Sequence, residues 1–254
     1  MPVSALSRRV HVEHVMDTVV SLDVRSPWSD GAVDAAMGWL REVDARFSPY
    51  RPDSEISRLD RGDLLLADAA PDVRAVLDRC AALWRETDGY FDIRAGGRLD
   101  PSALVKGWAT QRAADLLRSR GLTDFCLSAG GDVVTRGGAL PEPRWTVGVQ
   151  HPHDRSAIAT RIEARNLAIA TSGAYERGTH IRDPHAGAPP RDVLSVTVCG
   201  PDLGTADAYS TAAFAMGEQG PHWTLGLDGY EAMTILADGT VLRTPGFPLL
   251  EDDE

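Results

Sequence analysis

The sequence predicts an α/β fold, more specifically a mixed α+β arrangement in which a mixed sheet carries helices beside a second, β-rich lobe. Two observations support this class. The first half alternates between short apolar strands and long segments with apolar residues at helical spacing. The second half consists mainly of alternating or compact apolar runs, which are typical of strands. We expect residues 1–254 to form one domain of two closely packed lobes, with a ligand cleft between them.

The first half predicts paired strands followed by three helices. Residues 10–25 alternate in polarity, as half-buried strands do. The first helix is expected to begin at Ser29 or Asp30 and to end before Pro49, because a residue preceding proline avoids helical geometry. A single helical turn is expected over residues 54–59.

The next two helices have clear boundary residues. Pro71 is expected to open the second helix, since proline is favoured at a first helical position. Its buried stripe is predicted to include Trp84. The third helix is expected to run from about Ser102 to Arg120, where Gly121 stops it.

The second half predicts strands, one long loop and one more helix. The loop from 175 to 191 is rich in glycine, proline, histidine and aspartate, and a loop of this length suggests a functional role. Asp238-Gly239 predicts a hairpin turn. The expected strands are 125–128, 145–150, 158–162, 167–171, 193–199, 233–236 and 240–243, and the expected helix is 205–216 with a short one near 222–225.

Charge and composition narrow the function classes. The net charge of -11 argues against nucleic acid or an anionic membrane surface as the main partner. An anionic ligand would need a metal, a helix start or a few placed cations. The three cysteines sit in apolar runs and are expected to be buried free thiols. The sequence shows no signal peptide, lipid-anchor cysteine or membrane span, so the expected location is the cytoplasm.

Asp207 and Thr211 form the first candidate site. Four residues apart on a helix, they share one face, and a carboxylate with a hydroxyl suits a hard cation such as Mg²⁺. From spacing alone, a purely structural explanation is favoured over a metal site. Asp207 in a first turn can complement the helix dipole, and Thr211 can be packed.

Other candidates could bind phosphate. Lys106, one turn into the third helix, supplies a point charge, although a solvated lysine is about as common an outcome. Thr171-Ser172-Gly173 after a strand is typical of phosphate or carboxylate binding and also of an ordinary turn. His180, in the long loop, could hold a pyrophosphate oxygen or transfer a proton, or could simply be solvated.

The remaining motifs are weaker. Gly130-Gly131-Asp132 could be a turn and no more. The aromatic residues Phe47, Tyr50, Tyr90 and Phe91 could stack on a planar ring, although aromatic residues more often belong to the core. The histidines at 151, 153 and 185 lack zinc-ligand spacing.

Taken together and in order, these motifs resemble those of the ApbE family, the FAD:protein FMN transferases. The resemblance covers residues from about 14 to 243. The matching segments are Met16-Asp17-Thr18, Phe47-Ser48-Pro49-Tyr50 with residues 53–59, Thr87-Asp88-Gly89-Tyr90-Phe91-Asp92, Asp100 through Lys106-Gly107, Ser128 to Asp132, Thr171-Ser172-Gly173 with His180-Ile181-Arg182-Asp183-Pro184 through Gly187, and Ala206-Asp207 with Thr211.

The resemblance implies roles for these residues. Asp207 and Thr211, with a main-chain oxygen at Ala103, would bind Mg²⁺. His180, Lys106 and Asp207 would act in catalysis. The FAD site would comprise Met16, Tyr50, Tyr90, Phe91, Asp92, Asp100, Lys106, Thr171, Ser172, Gly173, His180 and Ile181.

The implied reaction is phosphoryl transfer. A threonine or serine hydroxyl of a target protein attacks the FMN phosphorus of FAD, AMP leaves, and FMN stays attached to the target. Two alternatives stay open from the sequence: hydrolysis of FAD to FMN and AMP, and FAD binding without turnover. A purely structural interaction module would leave the ordered motifs unexplained.

Two positions and one segment depart from the family pattern. Asp17 replaces the glycine that usually follows the methionine, and Gln111 replaces an aspartate in the segment after Lys106-Gly107. The segment from Asp92 to Asp100 is shorter than usual, which affects one expected wall of the flavin pocket.

Overall fold

The computed structural model describes residues 8–173 and 181–250. Its main sheet has eight strands in the order β1-β2-β3-β4-β7-β8-β9-β10, and β5 pairs with β6 in a separate two-stranded sheet. The strands are β1 (Arg9–Val15), β2 (Thr18–Val24), β3 (Phe125–Ala129), β4 (Asp132–Arg136), β5 (Trp145–His151), β6 (Asp154–Ala164), β7 (Ala168–Gly173), β8 (Val193–Gly200), β9 (Glu231–Leu236) and β10 (Val241–Arg243).

Six α-helices belong to the described part of the chain. They are α1 (Asp30–Phe47), α2 (Glu55–Arg61), α3 (Pro71–Glu86), α4 (Ser102–Ser119), α5 (Leu203–Ala215) and α6 (Gly220–Thr224). The Ser29 hydroxyl accepts the Ala32 N–H and so caps α1. Pro71 opens α3 as expected. The predicted α/β class, with helices on a large sheet, is confirmed.

Two details differ from the sequence-based expectation. Every strand pairing of the described residues is antiparallel, so the sheet is not itself mixed. Trp84, which was expected in the buried stripe of α3, is 52% exposed. It lies at the edge of that stripe, where its indole N–H faces the turn at Gly89.

The two faces of the main sheet pack against different layers. Successive strand residues point to opposite faces, so Val134 belongs to the cluster formed with the helices and its neighbour Val133 to a second cluster. That second cluster contains Trp145 and Ile162 of the β5–β6 pair. The small β-rich lobe therefore covers the sheet on the side away from α1, α4 and α5.

Helices α4 and α5 are in backbone contact at two glycines. A Cβ placed on Gly107 would lie 2.5 Å from the Leu203 carbonyl oxygen, and one on Gly204 would lie 3.2 Å from the Trp108 backbone. The absence of side chains at these positions lets the helices approach this closely. The approach brings the first turns of α4 and α5 together, which positions the site described below.

All three cysteines are free thiols, as expected; Cys80 and Cys199 are buried, whereas Cys126 is only partly buried by surface area. Burial raises the pKa of the Cys80 thiol to about 12 and that of Cys126 to about 12. Burial also raises the pKa of Cys199. None of the helices within residues 8–173 and 181–250 has the length and apolar character needed to cross a bilayer.

Candidate active site

Helix α5 brings Asp207 to the first turns of α4. The helix is capped by Asp202, whose carboxylate accepts the Thr205 N–H at 2.8 Å. Asp207 is 2% exposed, and its Oδ2 accepts the backbone N–H of Gly107 at 3.2 Å. The close contact of the two helices therefore fixes the orientation of this carboxylate.

The Lys106 ammonium group lies between two buried carboxylates. Its Nζ is 2.7 Å from Oδ2 of Asp132 and 3.7 Å from Oδ1 of Asp207. Asp132 begins β4 directly after the Gly130-Gly131 turn, and its Oδ1 accepts the Thr171 N–H at 3.2 Å. Sequence reasoning considered Asp132 only as part of a Gly-Gly-Asp turn, because its contact with Lys106 depends on how α4 packs on the sheet.

Hydroxyl groups connect β7 to α5. The Ser172 hydroxyl lies 2.9 Å from that of Ser210 and 3.2 Å from that of Thr211. On the same strand, the Thr171 hydroxyl lies 2.9 Å from that of Thr197. These contacts place the Thr171-Ser172 pair beside the two residues predicted to bind a metal.

One cavity of about 160 Å³ is lined by Lys106, Asp207 and the hydroxyl residues at 171, 172 and 211. Its volume is that of roughly five water molecules in the liquid. It is bounded by α1, α4, α5, β7, the β1–β2 turn and the segment at 48–50. The β5–β6 lobe contributes none of the described lining, because it packs on the opposite face of the sheet. The predicted site residues that line the cavity are Met16, Tyr50, Ala103, Lys106, Thr171, Ser172, Ile181, Asp207 and Thr211.

Tyr50 stands at an exposed part of the cavity lining. Its side chain is 67% exposed, and the Arg98 guanidinium lies 5.1 Å from the centre of its ring. Arg98 also donates a hydrogen bond to the Pro49 carbonyl. The shortened segment between Asp92 and Asp100 thus places a cation over an aromatic ring beside the cavity.

The structure accommodates the departures at Asp17 and Gln111. Met16 and Asp17 form the two-residue turn between β1 and β2 with φ angles of 55° and 56°. Aspartate tolerates this left-handed conformation better than most residues, although glycine adopts it more easily. The Gln111 side-chain oxygen accepts the Leu203 N–H at 3.2 Å, and so holds the start of α5 against α4.

Five other predicted ligand residues of the described chain lie outside the cavity lining. Phe91 is 2% exposed and packs in the core. Tyr90 packs edge-on against His185, with ring centres 4.6 Å apart. The carboxylate of Asp92 accepts the Arg94 N–H and that of Asp100 accepts the Ser102 N–H. The fifth is Gly173, which ends β7.

His180 lies outside the described residues, so its predicted role stays a prediction. Its neighbour Ile181 is described and lines the cavity. Farther along the same loop, His185 reaches the Asp88 carbonyl at 2.9 Å. The described part of this loop therefore contacts both the cavity and the turn that follows α3.

The donor groups fit Mg²⁺ better than zinc. Among the described residues, no group of three or more His, Cys, Asp or Glu side chains could hold a metal. The cavity lining instead includes Asp207, Thr211 and Ala103, which carry a carboxylate, a hydroxyl and a main-chain oxygen. Such a sparse set of oxygen ligands is typical of Mg²⁺, which keeps several waters and takes further ligands from substrate phosphates.

Comparisons with known proteins identify the family of this chain. The family model described as "ApbE family" matches residues 16–98 and 94–234. A Salmonella typhimurium protein named "FAD:protein FMN transferase" is 27% identical over 242 residues, which is 91% of this chain and 67% of that protein. A Vibrio cholerae protein of the same name is 34% identical over 131 residues, 48% of this chain and 39% of that protein.

Solved structures show the same fold. The ApbE protein of Thermotoga maritima superimposes with a TM-score of 0.85 at 22% identity, over 94% of this chain and 97% of that one. The flavin transferase ApbE of Vibrio cholerae gives a TM-score of 0.83 at 22% identity, over 96% and 100% of the two chains. Because the family model matches most of the chain, this protein belongs to the ApbE family.

Proposed function

We propose that the protein is an FAD:protein FMN transferase, which moves FMN from FAD to a threonine or serine hydroxyl of a target protein and releases AMP. The observation that carries the proposal is the shared cavity of Lys106, Asp207 and Thr211. The names of the relatives support the same activity. The substrate and the acceptor protein are part of the proposal.

The residues of the chain have separable tasks in this reaction. Phosphoryl transfer depends mainly on positioning and on neutralising charge spread over the phosphate oxygens. Lys106 supplies a fixed positive charge beside the site of the diphosphate. The hydroxyl groups of Thr171 and Ser172 offer hydrogen bonds to phosphate oxygens from the facing strand. Tyr50 offers an exposed ring for stacking of a planar group.

Asp207 and Thr211, with the main chain at Ala103, would hold Mg²⁺. When bound, the ion supplies electrostatic stabilisation of the negative charge on the diphosphate. This explains how a chain with a net charge of -11 can bind an anionic substrate. Cytoplasmic location and the lack of a nucleic-acid partner stay predictions from the sequence.

The transferase is tested by mixing the purified protein with FAD, Mg²⁺ and a candidate target that exposes an acceptor threonine. The expected result is an intact mass of the target increased by one FMN, with one AMP released for each modified target. Release of AMP without any change in target mass would identify an FAD hydrolase. FAD binding without AMP release, even with a target that homologous transferases modify, would contradict both enzymatic activities.

A further inference from the structure

We propose that Asp132 is a positioning residue that holds the Lys106 ammonium group away from the Asp207 carboxylate, so that Asp207 is available to a divalent cation. The inference deepens the proposed function and rests on it, because it concerns the same cation and diphosphate site. Neither the motif analysis nor the expected ligand set gave Asp132 a role.

The distances show that Lys106 lies closer to Asp132 than to Asp207. The ammonium nitrogen lies 2.7 Å from Asp132 and 3.7 Å from Asp207. The first separation is that of a close ion pair, and the second is that of a longer one. Of these two carboxylates, Lys106 therefore lies closer to Asp132 while it remains beside Asp207.

Asp132 is held more firmly than the lysine it contacts. Asp132 is 1% exposed, and its Oδ1 accepts the Thr171 N–H. Its backbone is fixed by pairing with Ala129 across the Gly130-Gly131 turn. A lysine side chain is long and flexible, so the position of the ammonium group is set by the rigid carboxylate.

The charges explain why a second carboxylate is useful here. One ammonium beside Asp207 alone would neutralise the carboxylate and oppose the approach of another cation. With Asp132 included, the three side chains carry a net charge of -1, and opposite charges attract strongly in a partly buried site. A divalent cation can then bind Asp207 while Lys106 stays close enough to contact an anionic substrate.

A role through Lys106 fits better than direct ligation. Asp132 does not line the cavity, whereas Lys106 and Asp207 both do. A stabilising ion pair would need only one carboxylate for the ammonium, yet here two face it. Residues that orient a metal ligand without binding the metal are arranged in the same way. Their substitution typically weakens metal binding.

The first test is the Asp132→Asn variant of the full chain, with Mg²⁺ titrated into the FAD-free protein by calorimetry. The amide keeps an oxygen for the Thr171 N–H but loses the charge. We expect Lys106 to move toward Asp207 and the Kd for Mg²⁺ to rise roughly 10- to 100-fold. Asp23→Asn is the control for the loss of an ion-paired carboxylate on the same sheet. Asp23 pairs with Arg8 and Arg25 at 2.9 Å each, and its substitution should leave the Kd unchanged.

The second test repeats the substitution in a Lys106→Met background. If Asp132 acts through Lys106, adding Asp132→Asn should now change the Kd for Mg²⁺ within roughly threefold. The same large rise in both backgrounds would show that Asp132 acts on the cation directly and would overturn the positioning role. No rise in the presence of Lys106 would also overturn it.

Failure of this inference is distinguishable from failure of the proposed function. Loss of Mg²⁺ binding in Asp207→Ala but not in Asp132→Asn would remove only the positioning role. Unchanged Mg²⁺ binding in Asp207→Ala would remove the metal assignment itself. Should Asp132→Asn fail to fold by circular dichroism, Asp132→Glu keeps the charge, and its extra methylene should push the ammonium toward Asp207 and again raise the Kd.

Discussion

At the residue scale, Asp207 carries the strongest prediction. Asp207→Ala should lower FMN transfer roughly 100-fold or more, because a bound metal contributes several kcal/mol of charge stabilisation in such reactions. Mg²⁺ with FAD should raise the melting temperature of the wild-type protein, since a ligand that binds only the folded state stabilises it. The variant should show no Mg²⁺-dependent rise in a thermal shift experiment.

Asp202→Ala is the control on the same helix. Asp202 caps α5 and does not line the cavity. Its loss should cost about 1 kcal/mol of stability while FMN transfer is retained. Equal loss of transfer in both variants would mean that activity follows the stability of α5 and not a metal ligand at position 207.

The sequence could predict the types of residue in this site but not all of their contacts. Asp207 and Thr211 share a helix, so their common face follows from the helical period. The contact of Lys106 with Asp132 depends on how α4 packs on the sheet, which local patterns do not encode. Phe91 illustrates the opposite case, because a motif match does not reveal that its ring is buried in the core.

At the element scale, the contact of α4 with α5 carries a prediction about packing. Gly107→Ala should destabilise the protein by about 1 to 3 kcal/mol, because the new methyl group would lie 2.5 Å from the Leu203 carbonyl and force the helices apart. Urea unfolding measures this change. FMN transfer should fall as well, since the Gly107 N–H would leave Asp207.

Gly38→Ala provides the matched control. Gly38 lies in α1, and a Cβ there would meet no atom within 4 Å. Alanine should therefore stabilise this helix by roughly 0.5 to 1 kcal/mol. Destabilisation by both substitutions would show that the effect at position 107 is not specific to the α4–α5 contact.

The elements were predictable where local chemistry determines them. Ser29, Pro71 and the apolar periodicity placed α1 and α3 close to their observed bounds. Strand β4 was missed because its five residues follow two glycines that favour a turn and offered no alternating pattern. Strand β4 is buried on both faces by the helices and the β5–β6 lobe, and these contacts cannot be read from its own five residues.

At the scale of the whole molecule, the buried thiols make stability depend on alkaline pH. In the unfolded chain a thiol loses its proton near its ordinary pKa of 9.0, whereas Cys80 and Cys126 keep theirs to about 12. Above pH 9 the unfolded state therefore binds fewer protons, so the free energy of unfolding falls as pH rises through that range. The stabilising contribution is fully present below pH 9.

Urea unfolding at about pH 8 and about pH 10 measures this dependence, which should be on the order of 1 kcal/mol per pH unit for each thiol. The comparison protein is the Cys80→Ala, Cys126→Ala double variant. It should lose less stability between the two pH values, even if its stability is lower throughout. An identical loss would assign the effect to other groups, such as Tyr209 and Tyr230, whose pKa values are also raised by burial.

Only the class of the fold could be predicted from the sequence. Apolar patterns predicted helices on a large sheet, but the antiparallel strand order and the position of the β5–β6 lobe depend on pairings distant in sequence. The cavity therefore lies between the helices and β7 and not between two lobes.

The hydrogen bond from Gly107 to Asp207 joins residues that are 100 positions apart in the chain. During synthesis the ribosome must therefore release the chain at least through Asp207 before the carboxylate can meet its amide partner. A nascent chain that ends before α5 contains Lys106 and Tyr50 but lacks Asp207 and Thr211. If the proposed function holds, FAD binding that depends on Asp207 and Thr211 should thus begin only after α5 has emerged.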